Sequence, residues 1–243
     1  MISDDLDREF SLSQLVINPK SFKIFSITNP KIPKLKNCKI EERSVSVILN
    51  QKEVKISFYI NRTIVDVFKD YPKINYNFLV NVEFSEECKN SLLPQLCKLI
   101  ISKDTVNSIK NILSFVQESA EYKEDLDNYG FENPSTPEQA LSCKFTDCED
   151  RSVLFYYLIK SFYRYEILML EYPNHINVGV AIPNYPKLEF LYDKKKFVIC
   201  EPADMSKRTV LGSSSFFEKY PNPKVRIHYS KKDFVRNSFI CAD

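Results

Sequence analysis

At 243 residues and 44% hydrophobic content the chain is long enough to bury a sizeable core, as one generous domain or as a domain with a smaller module. Thirty-four basic side chains against 32 acidic ones leave a formal charge of +2, which gives no electrostatic case for nucleic acid or a membrane surface as partner. Three glycines are too few for a glycine-rich phosphate loop, so nucleotide folds that depend on one fall away.

The opening, "MISDDLDREF", carries acids where a secretory signal has a basic region and an apolar core. No apolar run reaches bilayer length, so a cytoplasmic protein without a membrane span is expected. In chain order, "SFKIFSI" at 21–27 reads as a strand, and "NPKIPKLKN" at 29–37 as a loop. Val45, Val47 and Leu49, then Val54, Ile56 and Phe58, alternate around a polar break and predict a hairpin with one buried face. Phe78, Val80, Val82 and Phe84 alternate likewise and predict a further strand. Residues 1–85 are therefore read as a β-rich N-terminal portion and 86–243 as the main domain.

Beyond about residue 90 the period changes. Val106, Ile109, Leu113 and Val116 fall at helical spacing behind Ser102, a candidate N-cap, and predict a helix through about 118. "NYGFENPSTPEQA" reads as a loop delivering a short helix, with Thr136 and Gln139 at capping-box spacing around Pro137. A largely apolar helix follows "TDCE", and then come "EILMLEY", "HINVGVAI", "KLEFLYD" and "KFVICEP", four short strand-like runs. Helices segregated from strands indicate an α+β fold with an antiparallel sheet.

Seven cysteines (38, 88, 97, 143, 148, 200 and 241) lack a short disulfide framework and suit a reducing compartment. Cys148 is unusual among them, because it sits between Asp147 and Glu149 at the start of the apolar helix. With Thr146 as N-cap and Glu149 closing a capping box, its thiol lies in the first helical turn, where unpaired N–H groups and the helix dipole favour thiolate and can stabilise an oxyanion. Three neighbouring acids oppose that effect, so a cationic partner is required. Of two histidines, His175 opens an apolar strand and is the better general base; His228 lies in a polar tail. Glu201, at the end of another strand, is the candidate acid to orient the imidazole, and Asp204 is its competitor.

"TDCEDRSVLFYYLI", "YPNHINVGVAI" and "KFVICEPA", in this order, resemble the three motifs of the transglutaminase-like, papain-fold superfamily, particularly its bacterial members. The resemblance covers roughly residues 100 to 210 and implies a nucleophile helix packed on an antiparallel sheet, with Cys148 as nucleophile, His175 as base and Glu201 as orienting acid. Two positions depart from the family pattern: Thr146 stands where glycine is usual, and Glu201 where aspartate is more common. Cysteine-dependent amide hydrolysis or acyl transfer on a protein or peptide substrate, without cofactor or metal, is the expected activity. Gln139 is a candidate oxyanion donor, or alternatively only the capping partner of Thr136. Two other readings stand beside this one: a catalytically silent peptide-binding domain of the same fold, and a zinc site built from Cys143, Cys148, His175 and Cys200.

Overall fold

The computed structural model describes residues 35–49, 52–69, 75–100, 104–183, 185, 189–204 and 210–233. The segment 21–27 and most of 29–37 lie outside them. Strands β1 (Ile40–Leu49) and β2 (Lys52–Asn61) form the expected antiparallel hairpin, with Val45 opposite Ile56 and Val47 opposite Val54. One face is buried, because a period of two puts every second apolar residue on the same side.

Helix α1 (Arg62–Lys69) follows, and then α2 (Tyr76–Leu79), α3 (Glu86–Ile100) and α4 (Thr105–Glu118). The strand expected at 77–84 is not formed. Phe78, Val80, Val82 and Phe84 are all buried, but the chain makes the single turn of α2, turns again at 80–81 and then runs on without regular structure. Helix α3 was not anticipated; its interior Pro94 hides it, although Ser85 Oγ accepts from Cys88 N–H at 3.2 Å in N-cap fashion. The N-cap of α4 is Asp104, whose carboxylate accepts from the N–H groups of Val106 and Asn107, and the helix ends at 118 as expected.

A two-residue parallel bridge joins β3 (Glu121–Tyr122) to β4 (Phe145–Thr146), with α5 (Asp125–Tyr129) and α6 (Pro137–Ser142) between them. Helix α7 (Cys148–Phe162) is buried from Asp150 through Ile159, as an all-round apolar helix must be. It packs on an antiparallel sheet of β5 (Ile167–Tyr172), β6 (His175–Val180), β7 (Glu189–Tyr192), β8 (Lys195–Cys200) and β9 (Lys224–Tyr229), in the order β7-β8-β6-β5-β9. The architecture is α+β.

Both faces of this sheet are covered. Ile167, Met169, Ile176 and Val178 join the large core that contains α7, while Leu168, Leu170, Phe197 and Ile199 meet Phe217 of α8 (Ser215–Lys219) on the other side. That is why β5 reads as a continuous apolar run rather than an alternating one. The large core also contains Val45, Val47, Ile56 and Phe58, so packing runs unbroken from the hairpin to α7. No separate core marks residue 85 as a boundary. Glu138 of α6 strengthens this seam: its buried carboxylate accepts from Asn61 N–H at 2.8 Å, Ser85 N–H at 2.6 Å and Ser85 Oγ at 2.8 Å. The described cysteines 38, 88, 143, 148 and 200 are free thiols, and Cys97 is disulfide-bonded.

Candidate active site

The start of α7 differs from the sequence expectation by one residue, with chemical consequences. Asp147, not Thr146, is the N-cap: its Oδ1 accepts from the N–H groups of Glu149 at 3.1 Å and Asp150 at 3.2 Å. Both residues can cap, but Thr146 is held in β4 with its hydroxyl accepting from Arg151 Nε at 3.1 Å. Cys148 is therefore the first residue of the helix proper. Its N–H belongs to the group left without an intrahelical acceptor.

The environment of the thiol also corrects an expectation. Cys148 is 8% exposed and donates to Glu149 Oε2 at 3.7 Å, so the nearest acid faces the sulfur instead of pointing away. Burial first, then the charges of Glu149 and Asp147, push the thiol well above the ordinary cysteine range, and the Ile176 backbone N–H only partly opposes them. These effects favour the thiol over the thiolate that the helix dipole alone would favour. The acids pay a similar desolvation penalty: burial raises Asp147, Glu149 and Asp150 above the usual carboxyl range. Tyr76 OH donates to the second oxygen of Glu149 at 3.3 Å.

His175 is delivered to the same end of the sheet by the tight β5–β6 turn at Pro173 and Asn174. Asn174 takes a left-handed φ of 58°, a conformation that asparagine tolerates better than most residues. Nε2 of His175 lies 3.0 and 2.9 Å from the two carboxylate oxygens of Glu201, one residue beyond the end of β8. Glu201 is held in turn by Asn177 Nδ2 at 3.2 Å and Ser214 Oγ at 3.0 Å, and its backbone carbonyl accepts from Gln117 Nε2 at 3.0 Å. Phe216 stacks on the imidazole with ring centroids 3.7 Å apart and planes at 13°. Nε2 is thus engaged and the ring plane fixed, which leaves Nδ1 as the nitrogen available to a nucleophile.

Cys148 and His175 are brought to neighbouring positions without being joined. The thiol's backbone neighbour is Ile176, the residue after His175, and Ser152 of α7 donates to the Ile176 carbonyl at 3.1 Å. No hydrogen bond links the Cys148 thiol to the His175 ring; the thiol's side-chain partner is Glu149. Asp204 contributes its N–H to the Glu201 carbonyl at 3.4 Å, while the carboxylate on His175 belongs to Glu201.

Gln139 is occupied elsewhere. Its Oε1 accepts from Thr136 N–H at 2.9 Å in a complete capping box, and its Nε2 donates to the Val65 carbonyl at 3.3 Å. Of the two roles expected for it, these contacts are those of the capping partner. The zinc arrangement is not assembled either: buried Cys200 points its thiol to the Val198 carbonyl at 3.7 Å. Among the described residues, the group whose ligand atoms approach within 4.8 Å of one another is Asp125, Glu132 and Asp147, an all-oxygen set that does not match zinc's thiolate and imidazole preference.

Asn177, Ser214 and Phe216 were missed by sequence reasoning. Asn177 was accessible in principle, since it shares a strand face with His175 two residues earlier. Ser214 and Phe216 come from a distant segment and carry no local signal. No protein-family model matches the chain, and no curated protein matches it.

Proposed function

We propose that the chain is a cysteine-dependent amide hydrolase or acyltransferase with a transglutaminase-like, papain-fold core, acting on a protein or peptide. The observation that carries this reading is the His175–Glu201 pair, oriented through Nε2 and standing one residue from the backbone neighbour of a thiol at a helix N-terminus. In the reaction, Nδ1 of His175 takes the thiol proton as sulfur attacks the amide carbonyl. Rotation of the Cys148 side chain away from Glu149 precedes this step, as catalytic contacts commonly tighten only around substrate. The unpaired N–H of Cys148 is the natural donor to the developing oxyanion. Collapse of the tetrahedral intermediate expels the amine, which takes the proton back from the imidazolium; the thioester then passes its acyl group to water or to a second amine. Glu201 stabilises the imidazolium throughout.

Because the thiol rests protonated, His175 works here as a general base during attack, not as one half of a standing thiolate–imidazolium pair. The test is amide turnover: release of amine from a panel of chromogenic peptide amides, with and without a labelled primary amine as acceptor. Turnover abolished in Cys148→Ala supports the reading. An absence of turnover and of acceptor labelling across the panel counts against it. One observation favours the alternative, a catalytically silent peptide-binding domain: the Cys148 thiol is bonded to Glu149 and not to His175. In that case peptides would bind and Cys148→Ala would leave their affinity unchanged.

A further inference from the structure

Outside this site, a cavity of about 450 Å³ opens where the end of α4, the β3–β4 bridge, the middle of β1 and the first turn of α7 converge. Its wall includes three cationic side chains, Arg43, Lys144 and Arg151, and the ring of Tyr122. Arg43 donates to the backbone carbonyls of Leu141 and Ser119, the latter at 2.7 Å. Arg151, 2% exposed, donates to the Ala120 carbonyl at 2.8 Å and to the Thr146 hydroxyl, and its guanidinium lies 5.2 Å from the Tyr122 ring centroid.

These acceptors are all neutral. They fix two guanidiniums in place and satisfy some of their N–H groups, but no described carboxylate forms an ion pair with either one. A guanidinium has five donors, and neither arginine has all of its own engaged. Immobilised charges with unused donors, facing an open cavity of ligand size, are the arrangement that recognises oxyanions. Burial disfavours the charged forms of both arginines, and the charges already nearby, Glu41 for Arg43 and Asp147, Glu118 and Asp150 for Arg151, offset it only in part. Glu118 and exposed Glu121 also border the cavity and set a limit. They disfavour a multiply charged anion near themselves, which points to one oxyanion group held by the arginines.

We propose that this cavity is a binding site for a small oxyanion, a phosphate or carboxylate group, held by Arg43 and Arg151 with Lys144 assisting. Arg151 lies three residues beyond Cys148 on the same helix, so the ligand binds the helix that carries the thiol, yet the site stands without reference to the proposed reaction.

The test is calorimetric titration of the whole chain at low salt and about pH 6 with inorganic phosphate and, separately, acetate. Saturable 1:1 binding of at least one is expected, weakened about tenfold or more in Arg43→Gln and less in Lys144→Gln. Glu121→Gln, at an exposed position, is expected to tighten it. Arg151→Gln is informative only with a wild-type melting temperature, so Arg43→Gln and Lys144→Gln decide the matter. Stronger binding of phosphate than of acetate would identify a tetrahedral ligand, and the reverse order a carboxylate. Failure of both anions to saturate, or affinities indifferent to Arg43→Gln and Lys144→Gln, would overturn the proposal.

Discussion

The five-stranded sheet holds two histidine–glutamate pairs of nearly the same length, and they are built for different work. His175 and Glu201 meet at 2.9 Å, His228 and Glu166 at 3.1 Å. Glu166 also binds Lys195 at 2.7 Å, so an ammonium and an imidazole converge on one buried carboxylate and tie the start of β5 to β8 and β9. Burial works against ionisation of Glu166, but the hydrogen bonds from Lys195 and His228 outweigh it and hold its carboxyl below the usual range. Glu201 instead has neutral partners, Asn177 and Ser214, and its imidazole is stacked by Phe216 beside a helix N-terminus. A histidine–carboxylate contact is therefore no catalytic signature by itself. The Lys195 ammonium on Glu166 makes that pair a brace, whereas Glu201 holds its imidazole among neutral partners.

The largest effects should separate the pairs by activity. In a turnover assay, Cys148→Ala is expected to abolish amide cleavage and His175→Ala to reduce it by roughly 10²- to 10⁴-fold, whereas His228→Ala should change it by no more than about twofold. Comparable losses in both histidine variants would dissolve the distinction.

Stability should separate them the other way. Glu166→Gln is expected to cost about 2 kcal/mol, a value discounted because Lys195 is 46% exposed and regains water, and Glu201→Gln less, read from denaturant midpoints. The acid limb follows from the same chemistry. A carboxyl held low in the folded state contributes stability that is present above its unfolded value and lost as pH falls through the folded one. Glu166→Gln should therefore flatten part of the stability decline on the acid side.

Asp147 should show the opposite sign. Burial, then the neighbouring Glu149, raise its folded pKa, so the stability linked to its proton is complete below the unfolded value and disappears as pH rises through the folded one. Asp147→Asn keeps an N-cap acceptor and is expected to flatten that decline, with a change near pH 5 of less than about 1 kcal/mol. It should also lower the pH at which Cys148 becomes alkylated, because it removes one of the charges that push the thiol up. A loss smaller than that of His175→Ala is expected of Phe216→Ala, which frees the imidazole plane and reduces turnover by about tenfold with little change in thermal midpoint.

How far this was legible in the sequence depends on the range of the interactions involved. The β1–β2 hairpin, α4, the fully apolar α7 and the four strands from 167 to 200 announce themselves through local periodicity, which neighbours along the chain suffice to create. At 78–84 the alternating burial was legible and the element was not, because a strand needs a partner that only the tertiary fold can withhold. Pro94 concealed α3 for a local reason. At the site, Cys148, His175 and Glu201 were readable as residue types at element ends, and the choice between Thr146 and Asp147 as cap was not, since both side chains accept equally well. The direction in which Glu149 points, and with it the protonation of the resting thiol, depends on packing against Tyr76, 73 residues away.

The most direct test of the central claim is the amount of thioester formed at Cys148 after brief exposure to an activated peptide ester, read by peptide mass spectrometry in the wild type and in His175→Ala. Partly exposed Cys38 serves as the internal reference for unassisted acylation. Selective acylation of Cys148 over Cys38, lost in His175→Ala while Cys38 is unchanged, is the predicted result. Acylation of Cys148 no greater than that of Cys38, or equal in both proteins, would contradict general-base assistance by His175 and leave the binding domain as the better account.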